Sequence, residues 1–321
     1  MKLPTLFLLS LALATVQSNA AINFVFNYTD PSGIGFNAAG SAGVDRRAAL
    51  ESAADIVENL FSNYTASIQM DVNGGETDDS TLASAGSNFN GPFGTGFGNQ
   101  GDVQIKILGG ADPSGGADGT VNWNFEDHTW NTTNTVPGGE FDFISTAAHE
   151  LLHAVGFSSD IAQNGNDPGG NTPGNPGNWA PFDRYVADST GSLINGTNFI
   201  LDGARWNAAS IGGTGTTPAT NGLYFNGPNA TAANGGNPVP LYSPNPWEDG
   251  SSGSHLDDNF FSGGNQLLMN SASAPGPGIR SLSGIELGML RDIGYANVVP
   301  EPSSTLLIFV SLGGMLLRRR R

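Results

Sequence analysis

The chain of 321 residues contains no cysteine. Disulfide bonds therefore cannot stabilise it, and any metal site must use nitrogen and oxygen ligands. Basic residues are also scarce, since 12 lysines and arginines stand against 29 acidic residues. All the acidic residues lie between Asp30 and Glu301 together with only seven basic ones, which leaves an excess of 22 negative charges there. Such a body repels nucleic acid and anionic lipid, and it favours solubility and cation binding.

The N-terminus has the pattern of a secretory signal. Lys2 precedes a mostly apolar run over residues 6–14, and Ser18-Asn19-Ala20 has the small-x-small form of a signal peptidase site. A buried N-terminal helix is the alternative, but the run is too short to span a membrane and polar alternation follows it at once. We therefore predict a signal peptide over residues 1–20 and export of the chain.

The C-terminus combines three features in order over residues 299–321. Val299-Pro300-Glu301-Pro302 precedes an apolar stretch over residues 306–317, and Arg318 to Arg321 close the chain. This order resembles the PEP-CTERM sorting signal of Gram-negative bacteria. The resemblance implies transient anchoring in the inner membrane through a short transmembrane helix, then cleavage by envelope sorting machinery and release to the cell surface or extracellular matrix. A permanent anchor is the alternative, although the apolar stretch is shorter than the ~20 residues a spanning helix needs.

The body over residues 21–298 has a regular first half and a loop-rich second half. Alternation predicts strands over residues 21–28, 66–72, 102–108 and 120–125, and helical spacing predicts a helix over residues 44–64. Glycine is abundant, with 46 residues, and a loop-rich insertion is expected over about residues 160–250. These elements predict an α+β fold with a mixed sheet and an active-site helix in the N-terminal half.

Two of the four histidines lie in the motif His149-Glu150-Leu151-Leu152-His153. Asp142 or Ser145 can cap a helix through this motif, and Gly156 can end it in the left-handed conformation. The two histidines would then lie one turn apart on one face, with the glutamate rotated by ~100°. This arrangement is typical of a zinc helix, on which the imidazoles bind the ion and the carboxylate acts on a water molecule. The alternative is an amphipathic helix whose histidines are ordinary polar-face residues.

A catalytic zinc usually has three protein ligands, so one more is needed. No glutamate occurs between Glu150 and Glu248, which excludes a glutamate shortly downstream. In a compact H-E-x-x-H-x-x-G-x-x-H pattern the last position would be Ser159, with Asp160 one residue late. His255 remains as the leading third ligand, and Asp160 stays open as a substitute.

The segments around His255 resemble the leishmanolysin family of metzincins. The family pattern has H-E-x-x-H-x-x-G-F, a large insertion, a segment containing Ser-His, and a methionine turn; here Ser254-His255 is followed by Leu268-Met269. Residues 285–295 look like the closing helix of that family, with its D-x-G-aromatic ending.

The resemblance spans about residues 141–295 and implies a metzincin-like fold. It also implies that His149, His153 and His255 bind Zn²⁺, that Glu150 is the general base, and that Met269 forms an apolar floor below the metal. Two features depart from the family pattern: the chain lacks cysteine, and 102 residues separate His153 from His255.

Other polar clusters give weaker signals. The Asp, Asn and Gly residues at 71–79 and 164–167 have the oxygen ligands that Ca²⁺ prefers, but neither cluster has EF-hand spacing. His128 has no spaced partner and is expected to be a surface or loop histidine.

Together the motifs predict a secreted or cell-surface zinc endopeptidase, a metalloprotease that hydrolyses protein or peptide substrates with metal-activated water and Glu150 as base. The alternative is a non-enzymatic acidic surface or matrix binding protein with a structural metal site. Glu150 discriminates between them, because a structural metal site does not require a carboxylate beside the ion.

Overall fold

The computed structural model describes residues 22–75, 81–91, 94–213 and 221–299. The predicted signal peptide, and the predicted sorting segment beyond Val299, lie outside the described residues. Within the described part, no helix combines the length and apolar character needed to cross a membrane. Helices and a mixed sheet occur in one structure, so the predicted α+β class is confirmed.

Strands and helices alternate through the first half of the chain, and the second half has shorter elements. The strands are β1 (Ile22–Tyr28), β2 (Ala66–Asn73), β3 (Ala83–Ser87), β4 (Gly119–Trp123), β5 (Trp130–Asn131), β6 (Phe141–Asp142), β7 (Val186–Asp188), β8 (Gly191–Ser192), β9 (Tyr224–Phe225) and β10 (Val239–Pro240). The α-helices are α1 (Ser41–Leu60), α2 (Asp102–Gly109), α3 (Phe143–Ala154), α4 (Gly203–Ala209), α5 (Pro228–Ala233) and α6 (Gly284–Asp292).

The main sheet has four strands in the order β1-β2-β4-β3. Strands β1, β2 and β4 run parallel, whereas β3 pairs antiparallel with β4. In β1, Ile22 and Phe24 are buried while Asn23 and Val25, which alternate with them, are exposed, as expected for a strand with one face on the core. Helix α1 packs against β1 and α3 through a stripe of buried apolar residues at helical spacing. The sheet and α1 thereby hold α3 inside the molecule.

The strand predicted over residues 102–108 is wrong, because this segment forms helix α2. The alternation of Val103, Ile105 and Ile107 fits a strand, but a short apolar run of this kind also suits a buried helix. In the structure the buried side chains include Val103, Lys106 and Ile107, at helical spacing, and Gly110 ends the helix with φ +67°. The ammonium of Lys106 is buried with the carboxylate of Asp118 at 2.9 Å, which explains a lysine on the inner face.

The second half has short elements connected by long loops. Strands β7 to β10 form an antiparallel sheet in the order β10-β9-β7-β8, and each has only two or three residues. Helix α6 is longer and packs on α5. Large buried side chains, including Trp179, Trp206 and Phe225, join this half to the same core as the main sheet. The two halves meet along α3.

Candidate metal centre

Helix α3 is fixed at its N-terminus by a capping carboxylate. Asp142 accepts a hydrogen bond from the Ser145 amide at 3.1 Å, so of the two predicted caps, Asp142 and Ser145, the structure uses Asp142. Arg280, from beyond the predicted methionine turn, donates to both oxygens of Asp142 at distances of 2.8 to 3.1 Å. The Asp142 side chain is only 4% exposed, so the arginine offsets a buried negative charge.

The other end of α3 is fixed by a glycine and a tyrosine. Gly156 has φ +100°, which a residue with a side chain rarely adopts, and this agrees with the predicted end of the helix. The Tyr295 hydroxyl, which is fully buried, donates to the Val155 carbonyl at 2.7 Å. The last carbonyls of a helix have no hydrogen-bond partner within the helix, and Tyr295, from the second half of the chain, supplies the donor for one of them.

Three imidazoles converge beside α3. The Nε2 atoms of His149, His153 and His255 lie 3.0 Å from one another in each of the three pairs. His149 and His153 come from successive turns of α3, and His255 comes from the segment after β10. In the described part of the chain, these residues form the group able to hold a metal ion.

The ring hydrogen bonds determine which nitrogens face the centre of this group. Nδ1 of His149 lies 2.7 Å from the Leu268 carbonyl, Nδ1 of His153 lies 2.7 Å from the Phe157 carbonyl, and Nδ1 of His255 lies 2.9 Å from the Ser251 carbonyl. A carbonyl can only accept, so each Nδ1 must carry a proton and donate it. In neutral rings, each Nε2 then directs a lone pair toward the other two. Three lone pairs that meet in this way are stabilised by a cation between them.

The triangle of nitrogens fits an ion of the size of zinc. With edges of 3.0 Å, each Nε2 is about 1.7 Å from the centre of the triangle. This is within the ~2.0–2.1 Å that separates zinc from an imidazole nitrogen, so His149, His153 and His255 would hold such an ion together. The three residues could thus hold a metal ion and leave a coordination position open.

Burial keeps these rings neutral. Removal from water lowers the pKa of His149 to about 4. Burial, with repulsion from His149, lowers the pKa of His255 to about 3, and burial lowers the pKa of His153 well below its ordinary value. Near pH 7 the Nε2 lone pairs are consequently available to a metal.

The three histidines line a cleft with a volume of about 1070 Å³. Glu150 lines it too, although its side chain is only 7% exposed. One wall is formed by all of β3 and the two residues before it, and the opposite half of the molecule contributes Tyr242, residues 248–251 and residues 270–273. The cleft therefore lies between the sheet-and-helix half and the loop-rich half, with the histidines and Glu150 on its surface.

Asp160, the alternative third ligand, lies apart from the metal-capable group. It lines the cleft, and its Oδ2 accepts from Asn99 at 3.3 Å. Burial raises the pKa of Asp160 to about 7. The pKa of its neighbour Asp183 is also raised, first by complete burial and then by the charge of Asp160. The structure thus brings His255, and not Asp160, to the histidine pair.

Met269 is fully buried in the turn that the sequence predicts. Its carbonyl accepts from the Leu256 amide at 2.9 Å, which ties the turn to the residue after His255. Leu268, immediately before it, supplies the carbonyl that accepts the hydrogen bond from Nδ1 of His149. The turn therefore contacts the segments of two of the three histidines.

His128 is half-buried in the wall of the cleft, and its ring packs against Phe141 at 5.3 Å between centroids. It belongs to a loop, as predicted, but not to the histidine group.

In the proposed calcium loop at 164–167, the Asp167 carboxylate accepts from the amides of Asn171 and Asn178. The other proposed calcium cluster, at 71–79, lies partly outside the described residues.

Sequence reasoning did not single out two parts of this site. Strand β3 has the sequence Ala-Ser-Ala-Gly-Ser, which contains no β-branched or aromatic residue to indicate a strand. Glu286 is fully buried in α6 and accepts a hydrogen bond from the Met269 amide at 2.8 Å. The spacing of Ser283 and Glu286 is that of a capping box, a signal that could have indicated a fixed carboxylate here.

Comparisons with known proteins found no family model and no curated protein that matches this chain.

Proposed function

We propose that this protein is a zinc-dependent endopeptidase. The observation that carries the proposal is the convergence of three Nε2 atoms at 3.0 Å, in one cleft with Glu150. Zinc is the ion that three neutral imidazoles with an open position favour, and no thiolate is present to select another. When bound, zinc would lower the pKa of a water molecule and polarise a carbonyl group.

Glu150 is the general base in this proposal. It follows His149 directly on α3, so its carboxylate projects about 100° away from the first imidazole and does not join the ligand row. From there it accepts the proton of a water molecule that attacks the peptide carbonyl, and it returns a proton to the leaving amine. Because Glu150 itself donates this proton, no second residue is needed as a general acid.

The substrate in this proposal is an extended peptide. Strand β3 lines the cleft, and among the described strands of the main sheet it is an edge strand paired only with β4. An edge strand offers backbone N–H and C=O groups to another extended chain, which gives affinity with little dependence on sequence. A peptide added to β3 would lie along the cleft, beside the three histidines.

The test is Glu150→Gln, with Glu126→Gln as a control at an exposed position. Loss of the base should reduce peptide hydrolysis by about 10²–10⁴-fold, while the zinc content should stay near one ion per chain because the histidines are untouched. Glu126→Gln should retain both properties. Hydrolysis that survives Glu150→Gln and chelation would refute the mechanism, and a zinc-loaded wild type without activity would favour the structural metal site of a surface or matrix binding protein.

Export and surface sorting also belong to the proposal, since they rest on residues 1–20 and 299–321. The mature protein in its own host should begin at Ala21 and end close to the Val299-Pro300-Glu301-Pro302 segment. Mass spectrometry of the released protein measures both ends. A released protein that retains Arg318 to Arg321 would refute processing at this segment.

A further inference from the structure

One peptide group connects a buried carboxylate to a histidine of the metal centre. The carbonyl of Leu268 accepts from Nδ1 of His149 at 2.7 Å, and the N–H of Met269 donates to Oε1 of Glu286 at 2.8 Å. These two atoms belong to the same amide, because the carbonyl of one residue and the N–H of the next form one planar peptide unit. The carboxylate and the imidazole therefore lie at opposite ends of a single rigid group.

Glu286 is itself held in one position. It is fully buried at the start of α6, its Oε2 accepts from the Ser283 amide at 2.7 Å, and its own amide donates to the Ser283 hydroxyl at 3.3 Å. Burial raises the pKa of Glu286, and the amides of Ser283 and Met269 act in the opposite direction. Both carboxylate oxygens accept N–H donors, an arrangement that matches the ionised form.

The contact to His255 is built differently. Its Nδ1 faces the Ser251 carbonyl, and the N–H of that peptide, from Ser252, donates to the backbone carbonyl of Glu248 at 2.9 Å. The acceptor behind this second peptide is thus a neutral group, whereas the one behind the His149 peptide is a carboxylate. Hydrogen bonds in a chain polarise one another, and an anion at one end strengthens the acceptor at the other.

We propose that Glu286 is a positioning residue of the metal centre, which acts through the Leu268–Met269 peptide to fix the orientation of His149 and to strengthen it as a ligand. The inference rests on the metal site proposed above. It assigns to α6, which contributes none of the three histidines, an effect on metal affinity that passes through one peptide group. Groups that accept directly from a ligating histidine change metal affinity by about 10–100-fold when they are removed, and Glu286, which lies one peptide further away, is expected to act at the lower end of that range.

The experiment compares E286Q with S283A. Glu286→Gln preserves the shape of the side chain but removes its charge and one acceptor oxygen. Ser283→Ala removes the hydroxyl that caps the same helix, while the contact between Glu286 and Met269 remains. For wild type and both variants, the zinc dissociation constant is measured by chelator competition, the d–d spectrum is recorded with Co²⁺, and thermal unfolding is followed without metal.

We expect E286Q to weaken zinc binding by about 10-fold or more and to shift the Co²⁺ spectrum. S283A should lower the unfolding temperature but change the zinc dissociation constant by no more than about twofold. Glu286→Asp shortens the side chain by one methylene group, moves the carboxylate away from the Met269 amide and should also weaken zinc binding. This variant replaces E286Q in the experiment if E286Q does not fold.

If the Glu286 variant binds zinc as tightly as wild type does, the role of Glu286 is overturned but the proposed metal site is not. Equal weakening in S283A would also overturn it, because helix stability would then explain the effect. A wild type that binds neither Zn²⁺ nor Co²⁺ would overturn the metal site as well.

Discussion

At the scale of single residues, the identity of the third ligand is open to a direct test. His255→Ala removes one of three nitrogens that lie 3.0 Å apart, so we expect zinc affinity to fall by more than about 100-fold, beyond the effect of losing an outer partner. Asp160→Asn should leave affinity within about twofold, because Asp160 is outside the histidine group. Zinc content after dialysis and chelator competition measure both. Loss of zinc in Asp160→Asn with retention in His255→Ala would reverse the assignment.

The buried pair of Asp160 and Asp183 predicts a pH effect on stability. Burial raises the pKa of Asp160 to about 7 in the folded protein, whereas an unfolded aspartate has a pKa of about 4. The folded state therefore binds more protons in this interval, and the contribution of Asp160 to stability is full below pH ~4 and is lost as the pH rises toward ~7.

Asp160→Asn removes this dependence. The variant should match wild type near pH 4 and become increasingly more stable than wild type from pH 5 to pH 8. Denaturant unfolding with chelator present measures the difference between the two proteins, in which the contributions of the histidines cancel. A difference that is constant with pH would contradict the raised pKa.

At the scale of elements, helix α3 depends on groups from the second half of the chain at both of its ends. Tyr295→Phe removes the hydroxyl that donates to the Val155 carbonyl at 2.7 Å and leaves that buried carbonyl without this donor. We expect a loss of about 1–3 kcal/mol in the free energy of unfolding. The control is Tyr185→Phe, at a half-buried tyrosine outside α3, which should change stability by about 0.5 kcal/mol or less. Equal effects of the two substitutions would contradict a specific role at the helix end.

The elements also show which structural information the sequence carries locally. The sequence predicts helix α3 with a cap at Asp142 or Ser145 and an end at Gly156, because cap, apolar stripe and terminal glycine agree with one another, and the structure selects Asp142 as the cap. The sequence of helix α2 is typical of a strand instead, because Val103, Ile105 and Ile107 alternate with polar residues. One of those polar residues, Lys106, lies on the inner face of the helix, where it forms an ion pair with Asp118. Strand β3 has small residues and depends on pairing with β4, so its own sequence gives no signal.

At the scale of the whole molecule, the histidine group depends on folding over a long sequence distance. His149 and His153 follow from local helix geometry, but the position of His255 depends on the loops, the methionine turn and α6. The sequence could therefore identify His255 by its motif context, but it could not show that its Nε2 meets the other two. Nor could it show that Glu286 lies behind His149, since that contact joins α6 to the turn through a buried amide.

A metal bound across this distance should stabilise the entire fold, because it links α3 to the loop-rich half. With free zinc at about 100 times its dissociation constant, linkage predicts a gain of ~2.7 kcal/mol in the free energy of unfolding. For a domain of this size, that corresponds to an increase of about 5 °C in the unfolding temperature. Calorimetry of wild type with zinc and with excess chelator measures the difference. His255→Ala should unfold at nearly the same temperature in both solutions, since one half no longer contributes a ligand. If chelation lowers the unfolding temperature of His255→Ala as much as that of wild type, the stabilising ion is bound elsewhere and does not link the two halves through this histidine.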